Sequence, residues 1–327
     1  MVAVPEGYLR SVGFLCVDEP DDSGIKRRIP KATAFFVRVP LESVPNARVD
    51  YLVTARHCIE EAVMLDGNVF IRWNRKQGPY IEVKTRCDDW YLHDNADVAT
   101  ILLLPTILPN GTQITDFDSA SLSIESFVGS APHYEFKGVA PSAIGTLPIE
   151  VRPTVGYETF FLGLFTQNYG EERMLPIARF GHISRMPNLV EMEHADGVTF
   201  QTVAYLMEFQ SWGGHSGSPV FFLHPLFVED RLEGASELTG ANYVHVLGFM
   251  GLVSGHYDIP KKAKTTGDIL GTVQTNLNSG VALVTPAEAV RQLLMREDIV
   301  EQRKKKAERL LRSQTRPTMD SADQPAV

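Results

Sequence analysis

The chain of 327 residues carries only three cysteines, Cys16, Cys58 and Cys87. An odd, sparse set of this kind does not build a disulfide framework and points to a reducing, cytoplasmic setting. Long apolar runs are missing as well, and nothing approaches the ~18 unbroken apolar residues of a membrane span. The opening stretch MVAVPEGYLRSVGFLC is interrupted by Pro5, Glu6 and Arg10, so no signal peptide is expected. Basic residues are outnumbered, and a net charge of -9 does not suit phosphate binding, so no nucleic-acid partner is expected. No glycine loop of the phosphate-cradling kind occurs. The histidines outside the motifs below show no paired ligand spacing, so no metal or other cofactor is expected. The acidic stretch DEPDD at 18–22 reads as a solvated turn, because no ligand spacing continues beyond it.

Helical patterning is scarce too. From Leu9 to Ile149 the chain alternates short apolar runs with turn residues: Val12–Val17, Ala32–Val39, Tyr51–Thr54, Val63–Trp73 and Tyr80–Val83. Their brevity and their Val, Ile, Phe and Tyr content favour strands. Val98–Leu104 is a strongly apolar strand closed off by Pro105 and Pro109, and Pro141 to Pro153 reads as a crossing between two halves. Strands resume at Thr159–Phe165, Ile177–Ile183, Val198–Glu208, Pro219–Leu223, Val244–Val253 and Gly280–Val284. Only at Thr285-Pro286-Ala287-Glu288 does a helix start appear, with Thr285 as N-cap and Pro286 in the first helical position. Val290, Leu293 and Leu294 give that helix an apolar stripe. The cationic run Arg303–Lys306 reads as its solvated face. About a dozen strands and one terminal helix predict an all-β fold of two packed six-stranded antiparallel β-barrels. The expected division is a first barrel over 1–140, a second over 141–285, a helix over 286–312 and a disordered tail over 313–327.

Three stretches carry candidate chemistry. Trp212–Phe222 reads WGGHSGSPVFF and sets Ser216 among Gly213, Gly214 and Gly217. Glycines there allow left-handed turns that gather backbone N–H groups around one point, a setting suited to a nucleophilic hydroxyl and a developing oxyanion. A plain Gly/Ser turn before a buried strand fits the same letters. Tyr51–Glu60, YLVTARHCIE, puts His57 just past an apolar strand, and Asn95–Leu104, NADVATILLL, puts Asp97 at the mouth of another. A carboxylate entering a core needs a hydrogen-bond partner, and an imidazole N–H is one. Asp94, three residues earlier, competes for that role.

On these residues the chain resembles the chymotrypsin/trypsin-like serine peptidases. T-A-R-H-C at Thr54–Cys58 is similar to their histidine motif, D-V-A-T-I-L-L at Asp97–Leu103 to their aspartate strand, and G-G-H-S-G-S-P-V at Gly213–Val220 to their nucleophile loop. The order His, Asp, Ser agrees, and the loose match spans Tyr8 to Leu294. Within that group ARFGHIS at Ala178–Ser184 and SGVALVTPAEAVRQLL at Ser279–Leu294 resemble strands and the closing helix of bacterial stress-peptidase relatives, here as a stand-alone peptidase domain without a PDZ domain. The resemblance implies a serine endopeptidase acting on polypeptides through an acyl-enzyme. Ser216 would be the nucleophile, His57 the general base and then acid, and Asp97 the group that holds the imidazole. The Gly214 and Ser216 N–H groups would form the oxyanion hole. Gln210 would lie at the floor of the primary substrate pocket and Ser254, Gly255 and His256 along its wall. A neutral Gln210 gives a basic side chain no counter-charge, so small or medium apolar residues are expected before the cleaved bond.

The sequence departs from that pattern in three places. The cysteine that usually bridges to the one after the histidine has no counterpart in Ala32–Val39, which implies a free Cys58 and leaves any pairing of Cys16 and Cys87 open. His215 stands where digestive members carry an acid, and no basic-Ile-Val-Gly-Gly sequence precedes the domain, so activation by N-terminal cleavage is not expected. Leu226 to Tyr243 reads as an insertion after the nucleophile strand, an inert surface hairpin or a lid. Two other readings stay open: a catalytically silent peptidase-like binding module, and an α/β-hydrolase esterase whose elbow is Gly214–Ser218.

Overall fold

A computed structural model of the chain describes residues 4–21, 23–41, 48–103, 118–124, 127, 153–193, 199–211, 213–227, 243–263 and 273–314. The expected crossing from Pro141, most of the insertion after Leu226 and most of the C-terminal tail lie outside them.

The first half forms one curled sheet from β1 (Val12–Pro20), β2 (Lys26–Pro40), β3 (Arg48–Thr54), β4 (Asn68–Trp73), β5 (Ile81–Arg86), β6 (Tyr91–Leu92), β7 (Ala99–Leu102) and β8 (Leu122–Ser123). Its order is β5-β4-β1-β2-β3-β7-β6, and the short β8 pairs with β2. The β8–β2 pairing is parallel, a departure from the all-antiparallel expectation, and β6 and β8 bring the sheet to eight strands rather than six. The second half closes as a six-stranded barrel in the order β10-β11-β14-β13-β12-β9. These strands are β9 (Glu158–Gly163), β10 (Ile177–Glu193), β11 (Thr199–Glu208), β12 (Pro219–Phe227), β13 (Tyr243–Ala263) and β14 (Val273–Pro286).

Period-2 alternation decides where each strand's side chains go. In β2, Phe35 and Val37 enter a core shared by the two sheets, while Ala34 and Phe36 fill the first sheet's own interior. In β9 and β12 the same split sends Phe160, Leu162, Phe221 and Leu223 to the shared core, and Phe161, Val220 and Phe222 into the barrel. Strands buried on both faces therefore read as unbroken apolar runs. Each fully buried Phe contributes about 1.5–3 kcal/mol of transfer free energy. The rings of Phe160 and Phe221 stack at 5.1 Å, which ties β9 to β12 across that core.

Helices differ from expectation in three places, the first a short α1 (Glu6–Leu9) ahead of β1. Val63–Trp73 is not one strand: α2 (Arg56–Leu65) occupies its start, and Gly67 turns at φ 70 before β4 begins. Only Ile59 and Ala62 of α2 are buried, and Val63, Met64 and Leu65 face outward, so the helical stripe is too thin to read from the letters. At the C-terminal end two helices, α3 (Ala287–Leu294) and α4 (Glu297–Gln314), replace the single one expected. Thr285 is not the cap: it lies within β14, its hydroxyl bonded to Ser254, and Pro286 is the N-cap. Arg303 is not on a solvated face either. It is buried and donates to the Leu294 carbonyl at 3.2 Å and the Tyr51 hydroxyl at 3.4 Å. Lys304 and Lys305 of the same run are exposed, and Lys305 pairs with Glu301. The acidic stretch is a turn only in part: Asp18, Glu19 and Pro20 belong to β1, where Asp18 pairs with Arg28, while Asp21 turns by accepting from the Ser23 and Ile25 amides and pairs with Arg27. Among the described residues no helix is long and apolar enough to cross a membrane.

Candidate active site

Asp97 lies just before β7 and Ser216 just before β12, where the Thr33 amide of β2 bonds the Ser216 carbonyl. His57 is the second residue of α2, directly after β3. The first amides of a helix lack intrahelical acceptors, and the Asp97 carboxylate fills that need: its Oδ1 accepts from the His57 backbone N–H at 2.9 Å. Its Oδ2 lies 2.8 Å from His57 Nδ1, so one carboxylate grips the residue by main chain and ring together. Arg56 reinforces the approach by donating to the His93 carbonyl at 2.7 Å, which fastens α2 to the segment that leads to Asp97. Asp94, the competitor in sequence, offers only its main-chain carbonyl to Arg56.

Burial works against charge on both partners, and their mutual attraction overcomes it. Burial alone would lower the His57 pKa, but the Asp97 charge and its hydrogen bond hold it well above the usual histidine value. Burial alone would raise the Asp97 pKa, but the imidazole, the His57 amide and a hydrogen bond from Ser254 hold it below the usual carboxylate value. The other ring nitrogen, Nε2, stands 3.6 Å from Cys58 Sγ. All three cysteines are free thiols, so the open question of a Cys16–Cys87 pairing is answered in the negative.

The loop around Ser216, Gly213–Gly217, is held by close backbone approach. Gly214 takes φ 100 and Gly217 φ 80, which L side chains rarely adopt. A Cβ on Gly217 would come within 2.1 Å of the Thr33 carbonyl. The Ser218 amide donates to the His215 carbonyl at 2.9 Å, and in a trans peptide the next N–H, that of Ser216, then points the opposite way. Among the described residues neither the Gly214 nor the Ser216 amide donates to a protein acceptor. Two N–H groups beside one hydroxyl are suited to receive an oxyanion.

Ser216, Gly214, Gly213, His57 and Cys58 all line one cavity of about 950 Å³. From β1, β2 and α2 it is lined by apolar Leu15, Val17, Ile29, Met64 and Leu65 and by charged Glu19, Arg27, Arg28, Lys31 and Glu61. Ser216 Oγ and His57 Nε2 share this space without a hydrogen bond between them among the described residues. Catalytic contacts of this type often tighten only with substrate bound.

Among the described residues, neither the cavity beside Ser216 nor the one that Gln210 lines brings Gln210, Ser254, Gly255 and His256 together. Phe209 is buried edge-on against Phe161 at 5.0 Å, so its neighbour Gln210 points outward, into a second cavity of about 810 Å³ with Phe180, Gly181 and Ser279. That cavity's lining includes neither Ser216 nor Ser254, Gly255 and His256. Ser254 is buried and serves Asp97 and the Thr285 hydroxyl, the latter at 2.6 Å, rather than presenting a wall. Gly255 borders open space, and His256 is half-buried. His215 is buried against the Phe161 ring at 4.8 Å; burial, with Arg179 and His256 nearby, pushes its pKa down to about 4. The α/β-hydrolase reading fails on architecture. Ser216 leads into strand β12 rather than a helix, and among the described residues every strand pairing of the barrel is antiparallel.

Sequence reasoning did not anticipate the support role of Ser254 or the contacts of Thr33 beneath the loop. Both are hydroxyls inside apolar strands, and a buried hydroxyl must find partners; that is the signal that points to them.

No family model and no curated protein matches this sequence. Among solved structures the chain is similar to the Rv3671c protease from M. tuberculosis in its active form, at TM-score 0.43 and 14 % identity over 88 % of this chain and 81 % of that one. It is similar to the MamO protease domain from Magnetospirillum magneticum in its apo form, at TM-score 0.41 and 12 % identity over 88 % and 96 %. The inactive form of the Rv3671c protease gives TM-score 0.41 and 14 % identity over 88 % and 89 %. The chemistry of the site rests on its own geometry.

Proposed function

We propose that this protein is a serine endopeptidase that hydrolyses polypeptides through His57, Asp97 and Ser216. The observation that carries this reading is the double grip of Asp97 on His57, at the ring and at the backbone amide, beside a cavity that Ser216 shares. Asp97 fixes the tautomer in which Nδ1 carries the proton and Nε2 is free to act as base. With substrate bound, Ser216 Oγ attacks the scissile carbonyl as Nε2 takes its proton. The Gly214 and Ser216 amides hold the oxyanion, each typically worth about 3–4 kcal/mol. The imidazolium, stabilised by Asp97, then protonates the leaving amine. Water, activated by the same Nε2, releases the acyl group and restores Ser216. No metal or other cofactor enters this scheme.

A second reading is a silent binding module. The observation in its favour is that Nε2 faces Cys58 Sγ rather than Ser216 Oγ. A fluorophosphonate probe separates the two. The wild-type chain is expected to label covalently and to cleave peptides, whereas Ser216→Ala does neither. A folded wild type that stays unlabelled would overturn the peptidase reading.

A further inference from the structure

Thr33 lies in β2, in the run Ala32-Thr33-Ala34, and is wholly buried. A hydroxyl there loses water on every side and must be satisfied by protein groups. Its Oγ1 donates to the Gly214 carbonyl at 2.9 Å and accepts from the Leu164 amide at 2.9 Å. One hydroxyl thereby joins the first sheet, the segment after β9 and the nucleophile loop. The main chain of Thr33 completes the hold: its amide donates to the Ser216 carbonyl at 2.9 Å, and its carbonyl accepts from Thr54 Oγ1 at 2.8 Å. Gly217 closes against that same carbonyl, where no Cβ fits.

We infer that Thr33 is a positioning residue that sets the conformation of the Gly214–Gly217 loop, and with it the two N–H groups that receive the oxyanion. The inference rests on the peptidase reading for its catalytic consequence. The carbonyls of Gly214 and Ser216 are both drawn to Thr33, one by its hydroxyl and one by its amide. The Gly214 carbonyl lies in the peptide plane before His215 and the Ser216 carbonyl in the plane after Ser216, so the two bonds hold the His215–Ser216 peptide, which carries the Ser216 N–H, from both sides. The main-chain bond survives any substitution. The bond to Gly214 depends on the hydroxyl alone, and Gly214, at φ 100, is a glycine with no side chain to restrain its backbone. Without the hydroxyl the Gly214 carbonyl is released, and the peptide plane that follows it can turn.

The test compares Thr33→Val, which keeps the branched shape and removes the hydroxyl, with Thr33→Ser, which keeps the hydroxyl. Loss of a correctly aimed oxyanion donor costs roughly 10²–10³ in turnover. Thr33→Val is therefore expected to lower kcat by about tenfold to a thousandfold with KM within about threefold, and Thr33→Ser to restore most of it. Hydrogen exchange of the segment 212–222 supplies a readout that needs no activity: faster exchange in Thr33→Val and wild-type exchange in Thr33→Ser. If the Val variant does not fold, Thr33→Ala and Thr33→Cys carry the same comparison against Thr33→Ser. Equal kcat and equal exchange in folded Thr33→Val would overturn the inference, as would an equal deficit in both variants. An unlabelled wild type would instead count against the peptidase reading, and the exchange comparison would still decide the role of Thr33.

Discussion

At the scale of single residues, the state of His57 governs the pH behaviour expected of the site. A general base must be neutral to accept a proton, so activity falls as pH drops through its pKa. Asp97 holds that pKa well above the usual 6.5, against the pull of burial in the other direction. The acid limb of kcat/KM is thus expected to have its midpoint above 6.5, higher than an isolated histidine would give. Asp97→Asn removes both the charge and the tautomer control. It is expected to cost about 10⁴ in kcat and to move the acid limb downward, because the largest influence that raises the His57 pKa against burial is then gone. A pH–rate series on both proteins checks this, and a wild-type midpoint below 6.5 would contradict the coupling. His57, Asp97 and Ser216 stood out as candidates in the sequence because each sits in a short run of distinctive letters. The choice of Asp97 over Asp94 required only that an apolar strand follow it directly. The outward turn of Gln210 was not readable, because it is decided by the fit of Phe209 against Phe161, a residue nearly fifty positions away in the chain.

At the scale of elements, the nucleophile loop and the C-terminal helices make separate predictions. Gly217→Ala forces a Cβ to 2.1 Å from the Thr33 carbonyl at φ 80. Crowding of this kind costs roughly 1–3 kcal/mol, and the left-handed backbone adds roughly 1–2 kcal/mol. The variant is expected to melt several degrees lower and to lose activity. Gly213→Ala, where nothing lies within 4 Å of the added Cβ, should keep the wild-type melting temperature. Equal melting of the two variants would show that the loop is not packed as described. Arg303→Ala leaves the Leu294 carbonyl and the Tyr51 hydroxyl without their donor in a buried place. That costs roughly 1–3 kcal/mol, and a thermal melt should show it; an unchanged melting temperature would mean that α4 does not dock through this residue. The strands were largely foreseeable because unbroken apolar runs signal burial on both faces. Helix α2 was not, since two buried residues in ten leave almost no stripe to read. Arg303 was misjudged for a related reason: a basic run looks solvated in sequence, and only packing reveals which of its members turns inward.

At the scale of the whole molecule, the site depends on two sheets meeting, and that meeting bears on activation. The only sequence resembling a processing point, Arg28-Ile29, lies inside β2. It is paired there with Asp18 and Val17 of β1, and Arg28 forms ion pairs with Asp18 and Glu82. Cutting there would break a central strand pairing. His215, with its pKa pushed down to about 4, is neutral at physiological pH and offers no counter-charge to a new α-amino group. The 327-residue chain is therefore expected to take a fluorophosphonate label without trimming, and intact-mass measurement of the labelled species checks it. Label found only on chains cut near Arg28 would refute this. What the sequence by itself determined is the strand-rich character, the three short motifs and their order, because local composition and alternation encode burial directly. What only the tertiary structure decided is how those motifs meet: the grip of Asp97 on the first turn of α2, the hold of Thr33 on the nucleophile loop, and the separation of Gln210 from Ser216. Each of these depends on contacts between strands far apart in the chain, whose partners are fixed by sheet pairing and core packing and leave no trace in any local window of residues.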